Sequence, residues 1–190
     1  MNTKFNPIIK KNLIMNNTPI FWLTGMSGSG KTSLASELES IVSKNYKISI
    51  VDGDNVRDGD ITKLGFGYED VLINNSRIAN YCTEIRSDYD LVLVPVISPY
   101  NDIRLKIRKM LEPNFHLIYL NSDIESLRNR DTKGLYLDSD NGLISDLIGY
   151  SKTNPYDIPE NAELVIDTGN LVKQSHSVSI FYKYVSSIIG

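Results

Sequence analysis

The hydrophobic pattern opens with Ile20-Phe21-Trp22-Leu23, an unbroken apolar run that ends at Thr24 in a stretch of glycine and serine. A short run of this kind, bounded by a turn signal, predicts a buried strand over Ile20 to Thr24. Leu34, Leu38, Ile41 and Val42 then recur at helical spacing and predict a helix from Ser33 to Asn45, followed by a short strand from Lys47 to Asp52. Val71, Leu72, Ile78, Cys82 and Ile85 mark the apolar side of a helix from Glu69 to Asp88. The run from Leu91 to Ile97 is almost continuously apolar, the composition of a strand covered on both faces, and is expected at the sheet centre. A helix from Asp102 to Leu111, a strand from Phe115 to Leu120 and a short helix from Asp123 to about Asn129 follow. After a polar, glycine-punctuated region reaching Glu160, a strand over Glu163 to Asp167 and a closing helix over Leu171 to Ile189 complete the pattern. Strands alternating with helices define an α/β class with right-handed crossovers, a mostly parallel five-stranded sheet and helices on both faces.

The turn after the first strand carries the candidate chemistry. Gly25-Met26-Ser27-Gly28-Ser29-Gly30-Lys31-Thr32 completes the spacing G-x-x-x-x-G-K-[ST] between a strand and a helix. Glycines at 25, 28 and 30 let backbone N–H groups converge on phosphate oxygens, Lys31 reaches the β and γ phosphates, and the Thr32 hydroxyl suits Mg²⁺. The following helix aims its positive N-terminus at the same anion. These features predict the three-layer P-loop nucleoside triphosphate hydrolase fold, with ATP and Mg²⁺ as ligands.

Composition narrows the picture. A chain of 190 residues with net charge −3 fits one domain and has no basic footprint for nucleic acid. The single cysteine, Cys82, excludes a disulfide framework and reads as a buried small hydrophobe in a cytoplasmic protein. No run approaches the roughly 18 apolar residues of a membrane span. Residues 1–17 lack a signal-peptide core and are expected to be a mobile extension before a single domain over 18–190. The region 128–159 is long for a connection, and Arg128, Arg130 and Lys133 within it predict a cationic lid able to close on phosphates.

A phosphate loop is shared by kinases, switches and motors, so the rest of the chain must choose. No Asn-Lys-x-Asp base reader of a guanine-nucleotide switch is present, and the run from Leu91 to Ile97 continues into Ser98-Pro99 rather than the Asp of a motor. A small-acceptor kinase needs a carboxylate to orient the acceptor or hold metal, and Asp52 and Asp54 flank Gly53 at a strand end. One of the pair can orient or deprotonate an acceptor hydroxyl while the other holds Mg²⁺ through water, and the spacing does not assign the roles.

Phe21 to Thr32, Asp52-Gly53-Asp54-Asn55-Val56-Arg57, Leu64-Gly65-Phe66, Ile97-Ser98-Pro99-Tyr100, Arg130-Asp131-Thr132-Lys133-Gly134-Leu135-Tyr136 and Pro155-Tyr156 together resemble adenylylsulfate (APS) kinase, in order from about Pro19 to Thr168. The resemblance implies transfer of the ATP γ-phosphate to the ribose 3′-hydroxyl of adenosine 5′-phosphosulfate, a small-molecule nucleotide acceptor. It implies that Arg57 and Asn74 hold the acceptor, that Phe66 stacks on its base, and that Arg77, Ile97 and Leu147 stand beside it. Ser98 matches a serine assigned in the family as a phosphoserine, although in-line transfer makes it an acceptor-site hydrogen bonder. Arg130 and Lys133 match the lid that touches the nucleotides. Family members often form homodimers, but no apolar stripe marks an interface here.

The departures from the family pattern cluster around the acceptor. Val71 stands where the family has arginine, Ser76 where it has the first of an Arg-Arg pair, Asn101 where it has arginine, and Asp58 where it has histidine or an aromatic. The lid's Phe-Thr-Gly is Leu147-Ile148-Gly149. The loss of cations beside an intact donor site raises a second reading, a kinase of another nucleotide-linked acceptor such as cytidine diphosphoramidate in capsule synthesis. A third reading, a nucleotide-binding protein without catalysis, is opposed by intact Lys31, Thr32, Asp52 and Asp54.

Overall fold

The structure, a computed structural model, describes residues 17–52, 64–65, 67–131 and 133–190. Five parallel strands, β1 (Ile20–Thr24), β2 (Ile48–Ile50), β3 (Leu91–Pro95), β4 (Phe115–Asn121) and β5 (Leu164–Asp167), form one sheet in the order β2-β3-β1-β4-β5. The helices are α1 (Lys31–Val42), α2 (Tyr68–Ile85), α3 (Asn101–Leu111), α4 (Ile124–Asn129), α5 (Leu135–Asp140) and α6 (Gln174–Ile189).

Side chains of β1 and β3 alternate between the two faces of the sheet, as a doubly covered strand must. Ile20, Trp22, Val92 and Val94 pack with Val71, Ile78 and Cys82 of α2 and Ile103, Ile107 and Leu111 of α3. Phe21, Leu23, Leu91 and Leu93 face the other way, onto Leu34, Leu38 and Val42 of α1 and Val178, Phe181 and Val185 of α6. The result is the expected three-layer α/β sandwich, with all five strand carboxyl ends at one edge.

The centre of the sheet differs from the sequence expectation. β1, paired with both β3 and β4, is the middle strand, and β3 lies between it and the edge strand β2. Both runs are fully buried, so their hydrophobicity is the same. Only the pairing order, a non-local property, distinguishes them.

The region read as a lid contains a helix that the pattern did not predict. α5 is capped at its start by the Asp131 carboxylate, which accepts from the N–H groups of Leu135, Tyr136 and Leu137 at 2.8–3.1 Å. Leu127, Tyr136 and Leu147 form a small separate core beneath it.

Candidate active site

The sharp turn after β1 is built from glycines in conformations that other residues enter only under strain. Gly28 and Gly30 have φ of 75° and 92°. A Cβ at Gly25 would stand 2.8 Å from the Leu120 carbonyl oxygen. The loop runs directly into α1, which begins at Lys31, and the N-terminal end of a helix carries partial positive charge that favours an anion. Lys31 is buried and curls back over the loop, its Nζ donating to the carbonyls of Gly25 and Met26 at 2.8 Å each. Beside it the Thr32 hydroxyl lies 3.4 Å from Asp52 Oδ2, at the end of β2. Glycine N–H groups, an ammonium and paired hard oxygens form a donor set that fits a nucleoside triphosphate with Mg²⁺.

This loop forms one wall of a cavity of about 540 Å³. The same cavity is lined by Asp52 at the β2 end, by Val71, Asn74 and Asn75 on α2, by Ile97 and Ser98 after β3, and by Arg130, Lys133 and Tyr136 from the lid region. Asn74 and Asn75 are 6% and 2% exposed, and Ser98 is 1% exposed. Their oxygens Oδ1, Oδ1 and Oγ are buried with no hydrogen-bond partner among the described residues. Buried polar atoms of this kind are costly unless a ligand or a water satisfies them.

Two anchors fix the lid region. Tyr136 is almost fully buried and donates its hydroxyl to the Ser27 carbonyl in the phosphate loop at 2.7 Å. Burial raises its pKa first and foremost, with the nearby Asp131 adding to the rise, so the hydroxyl stays a donor. Arg130 donates to the Ser126 carbonyl at 3.1 Å and the Ser122 hydroxyl at 2.5 Å, which orients it along the cavity edge.

Most residues singled out in the sequence converge here. Ser27, Gly28, Ser29, Gly30, Lys31, Thr32, Asp52, Asn74, Ile97, Ser98, Arg130 and Lys133 line the one cavity. Gly25, Met26, Arg77 and Leu147 do not. Gly25 and Met26 contribute carbonyls to Lys31 from behind the loop, and Leu147 packs in the core beneath the lid while its neighbour Ile148 faces the cavity. Arg128 is a correction to the lid reading, because it points to Asp140 Oδ2 at 2.8 Å and the Tyr150 hydroxyl at 2.6 Å instead of lining the cavity. Asp54, Arg57 and Phe66 lie outside the described residues. Sequence reasoning missed Asn75 and Tyr136 as wall residues. The first is masked by an amphipathic helix pattern, whereas the second was visible as the end of the Lys-Gly-Leu-Tyr block.

A phosphate loop facing an acceptor-sized wall across one cavity, at the carboxyl edge of a parallel sheet, defines a P-loop phosphotransferase. Residues 17–167 match the family described as adenylylsulphate kinase. The chain is 37% identical over 161 residues to an adenylyl-sulfate kinase of Clostridium kluyveri, covering 84% of this chain and 80% of that protein. It is 34% identical over 175 residues to a probable adenylyl-sulfate kinase of Aeropyrum pernix, covering 90% and 93%. Among solved structures it resembles the APS kinase of Mycobacterium tuberculosis in complex with AMPPNP and APS, with TM-score 0.76 at 29% identity over 91% of this chain and 98% of that one. The chain belongs to the adenylylsulfate kinase family. Among the described residues no helix is long and apolar enough to cross a membrane.

Proposed function

We propose that this chain transfers the γ-phosphate of ATP to the ribose 3′-hydroxyl of adenosine 5′-phosphosulfate. The observation that carries the reading is the single cavity with Lys31 and Thr32 on one wall and Asn74 and Ser98 on another. Phosphoryl transfer depends mainly on positioning and charge neutralisation, and helices carry Lys31 and Thr32 on one wall and Asn74 on the other. Lys31, already directed at the loop, would meet the β and γ phosphates. Thr32 and Asp52, with Asp54 as the second carboxylate of the sequence pair, would hold Mg²⁺ directly or through water. That ion would neutralise phosphate charge as the γ-group leaves ADP. Arg130 and Lys133 would add positive charge from the lid side. Asn74, Ser98, Arg57 and Phe66 would seat the acceptor, with Ile97 beside Ser98 in the cavity wall.

A second reading keeps the reaction and changes the acceptor. It is favoured by Val71, which places an apolar side chain in the cavity wall where the family pattern has arginine. Removing that cation weakens recognition of an anionic acceptor and suits another nucleotide-linked group.

An acceptor screen tests these readings together. Acceptor-dependent ADP release is expected with adenosine 5′-phosphosulfate and not without an acceptor. A preference for a cytidine diphosphate-linked acceptor would select the second reading. ADP release independent of every nucleotide acceptor would reject both.

A further inference from the structure

Ser98 has a backbone φ of 44°, in the left-handed region that a non-glycine residue keeps only where its surroundings hold it. Two residues hold its peptide directly and a third holds them in turn. Thr24, the last residue of β1 and fully buried, donates its hydroxyl to the Ile97 carbonyl at 2.5 Å and lies 3.2 Å from the Ser98 carbonyl. Arg104 of α3 is 3% exposed and donates Nη1 to the Ser98 carbonyl at 2.6 Å. Its Nη2 reaches the Asp157 carbonyl at 2.6 Å and also Asn101 Oδ1.

The third residue is Tyr156, whose hydroxyl oxygen lies 2.9 Å from Thr24 Oγ1. Thr24 has one hydroxyl proton, already given to the Ile97 carbonyl, so Tyr156 is the donor in this pair. The Tyr156 ring stacks on Tyr119 at 6.0 Å and lies under the Arg104 guanidinium at 5.5 Å. Burial raises the Tyr156 pKa, which keeps its proton in place. Thr24, Arg104 and Tyr156 are absent from the cavity lining, so among the described residues they act on the site from behind its wall.

We propose that Thr24, Arg104 and Tyr156 are positioning residues that clamp Ser98 in its left-handed conformation and thereby set the acceptor wall against the phosphate loop. Thr24 immediately precedes Gly25, so one hydroxyl joins the strand bearing the donor loop to the loop bearing Ser98. Arg104 and Tyr156 extend the tie to 156–157, the carboxyl end of the lid region. The clamp rests on the reading of Ser98 as an acceptor-side residue.

The test compares Tyr156→Phe, Arg104→Met and Arg104→Lys with the parent chain, measuring the KM for ATP and for adenosine 5′-phosphosulfate and the affinity for AMPPNP. Tyr156→Phe removes one hydroxyl and is expected to raise the acceptor KM about threefold to tenfold. Arg104→Met, which leaves buried carbonyls unpaired, is expected to raise it about tenfold or more, with partial recovery in Arg104→Lys. AMPPNP affinity should stay within about twofold in all three, because the donor loop keeps its own contacts. Acceptor and AMPPNP affinities falling together, or neither changing, would overturn the proposal. Crystal structures of Tyr156→Phe and Arg104→Lys together decide the clamp without any turnover. Ser98 is expected to leave the left-handed region or to spread over two conformers, and an unchanged φ in both variants would overturn it. A parent chain that phosphorylates no nucleotide would reject the reaction reading, and that structural comparison would still decide the clamp.

Discussion

The hydroxyl of Tyr136 donates to the carbonyl of Ser27 at 2.7 Å, tying α5 to the phosphate loop across a sequence separation of 109 residues. Asp131 completes the tie by capping the same helix from the opposite end of the Lys133-Gly134 turn. Lys133 is thereby held between two fixed points at the cavity edge.

Tyr136→Phe is therefore expected to act on the donor side. Loss of one buried hydrogen bond should lower stability by about 1 kcal/mol and raise the KM for ATP several-fold, with a smaller effect on the acceptor. Steady-state kinetics with each substrate varied in turn, together with urea denaturation, checks both parts.

At Gly25 the limit is steric. A methyl group there would meet the Leu120 carbonyl oxygen at 2.8 Å and Ser29 Oγ at 2.7 Å, in a backbone with φ of 154°. Gly25→Ala should lose about 2 kcal/mol or more of stability and weaken AMPPNP binding at least tenfold. Calorimetric titration and thermal denaturation measure the two effects independently.

The phosphate loop was legible because its chemistry is local: Gly25 to Thr32 needs only a preceding strand and a following helix. The buried strands were legible from continuous hydrophobicity, yet the order β3-β1-β4 was not, since Leu91 to Pro95 and Ile20 to Thr24 are equally buried. α5 escaped because six residues give too short a period to read, and its stability comes from the Asp131 cap and the Tyr136 anchor. Arg128 had the right charge for a lid, but Asp140, twelve residues on, and Tyr150 take its guanidinium. The clamp on Ser98 joins residues 24, 104 and 156, a relation that no spacing rule exposes.

Acid stability should depend on Glu163. Burial pushes its pKa up, but Arg108, paired at 2.7 Å, and the Leu117 N–H, also at 2.7 Å, outweigh that and leave it below the usual carboxylate value. A carboxylate lowered on folding contributes stability above its unfolded pKa and loses it as pH falls through the folded one. Glu163→Gln should cost about 1 kcal/mol at pH 7, a figure reduced for partial solvent exposure. The penalty should vanish at low pH, where Glu163 is protonated and as neutral as the glutamine amide. Denaturation midpoints of parent and variant across pH 2–7 should therefore converge on the acid side.

Cys82 is fully buried, and burial raises its thiol pKa to about 12. The folded chain is expected to resist a thiol-specific disulfide reagent at pH 8 and to react only after denaturation. Rapid labelling without loss of structure would contradict the packing of α2 on the sheet.

The central claim, that the wall of Lys31 and Thr32 gives phosphate to a nucleotide held opposite, is tested most directly by the product. The parent chain is incubated with ATP, Mg²⁺ and adenosine 5′-phosphosulfate, and the nucleotides are resolved by phosphorus NMR and mass spectrometry. A new 3′-phosphate in step with ADP is predicted, falling at least a hundredfold in Lys31→Ala while the fold is kept. A folded, ATP-binding parent chain that phosphorylates no nucleotide acceptor, or equal product from Lys31→Ala, would contradict the account.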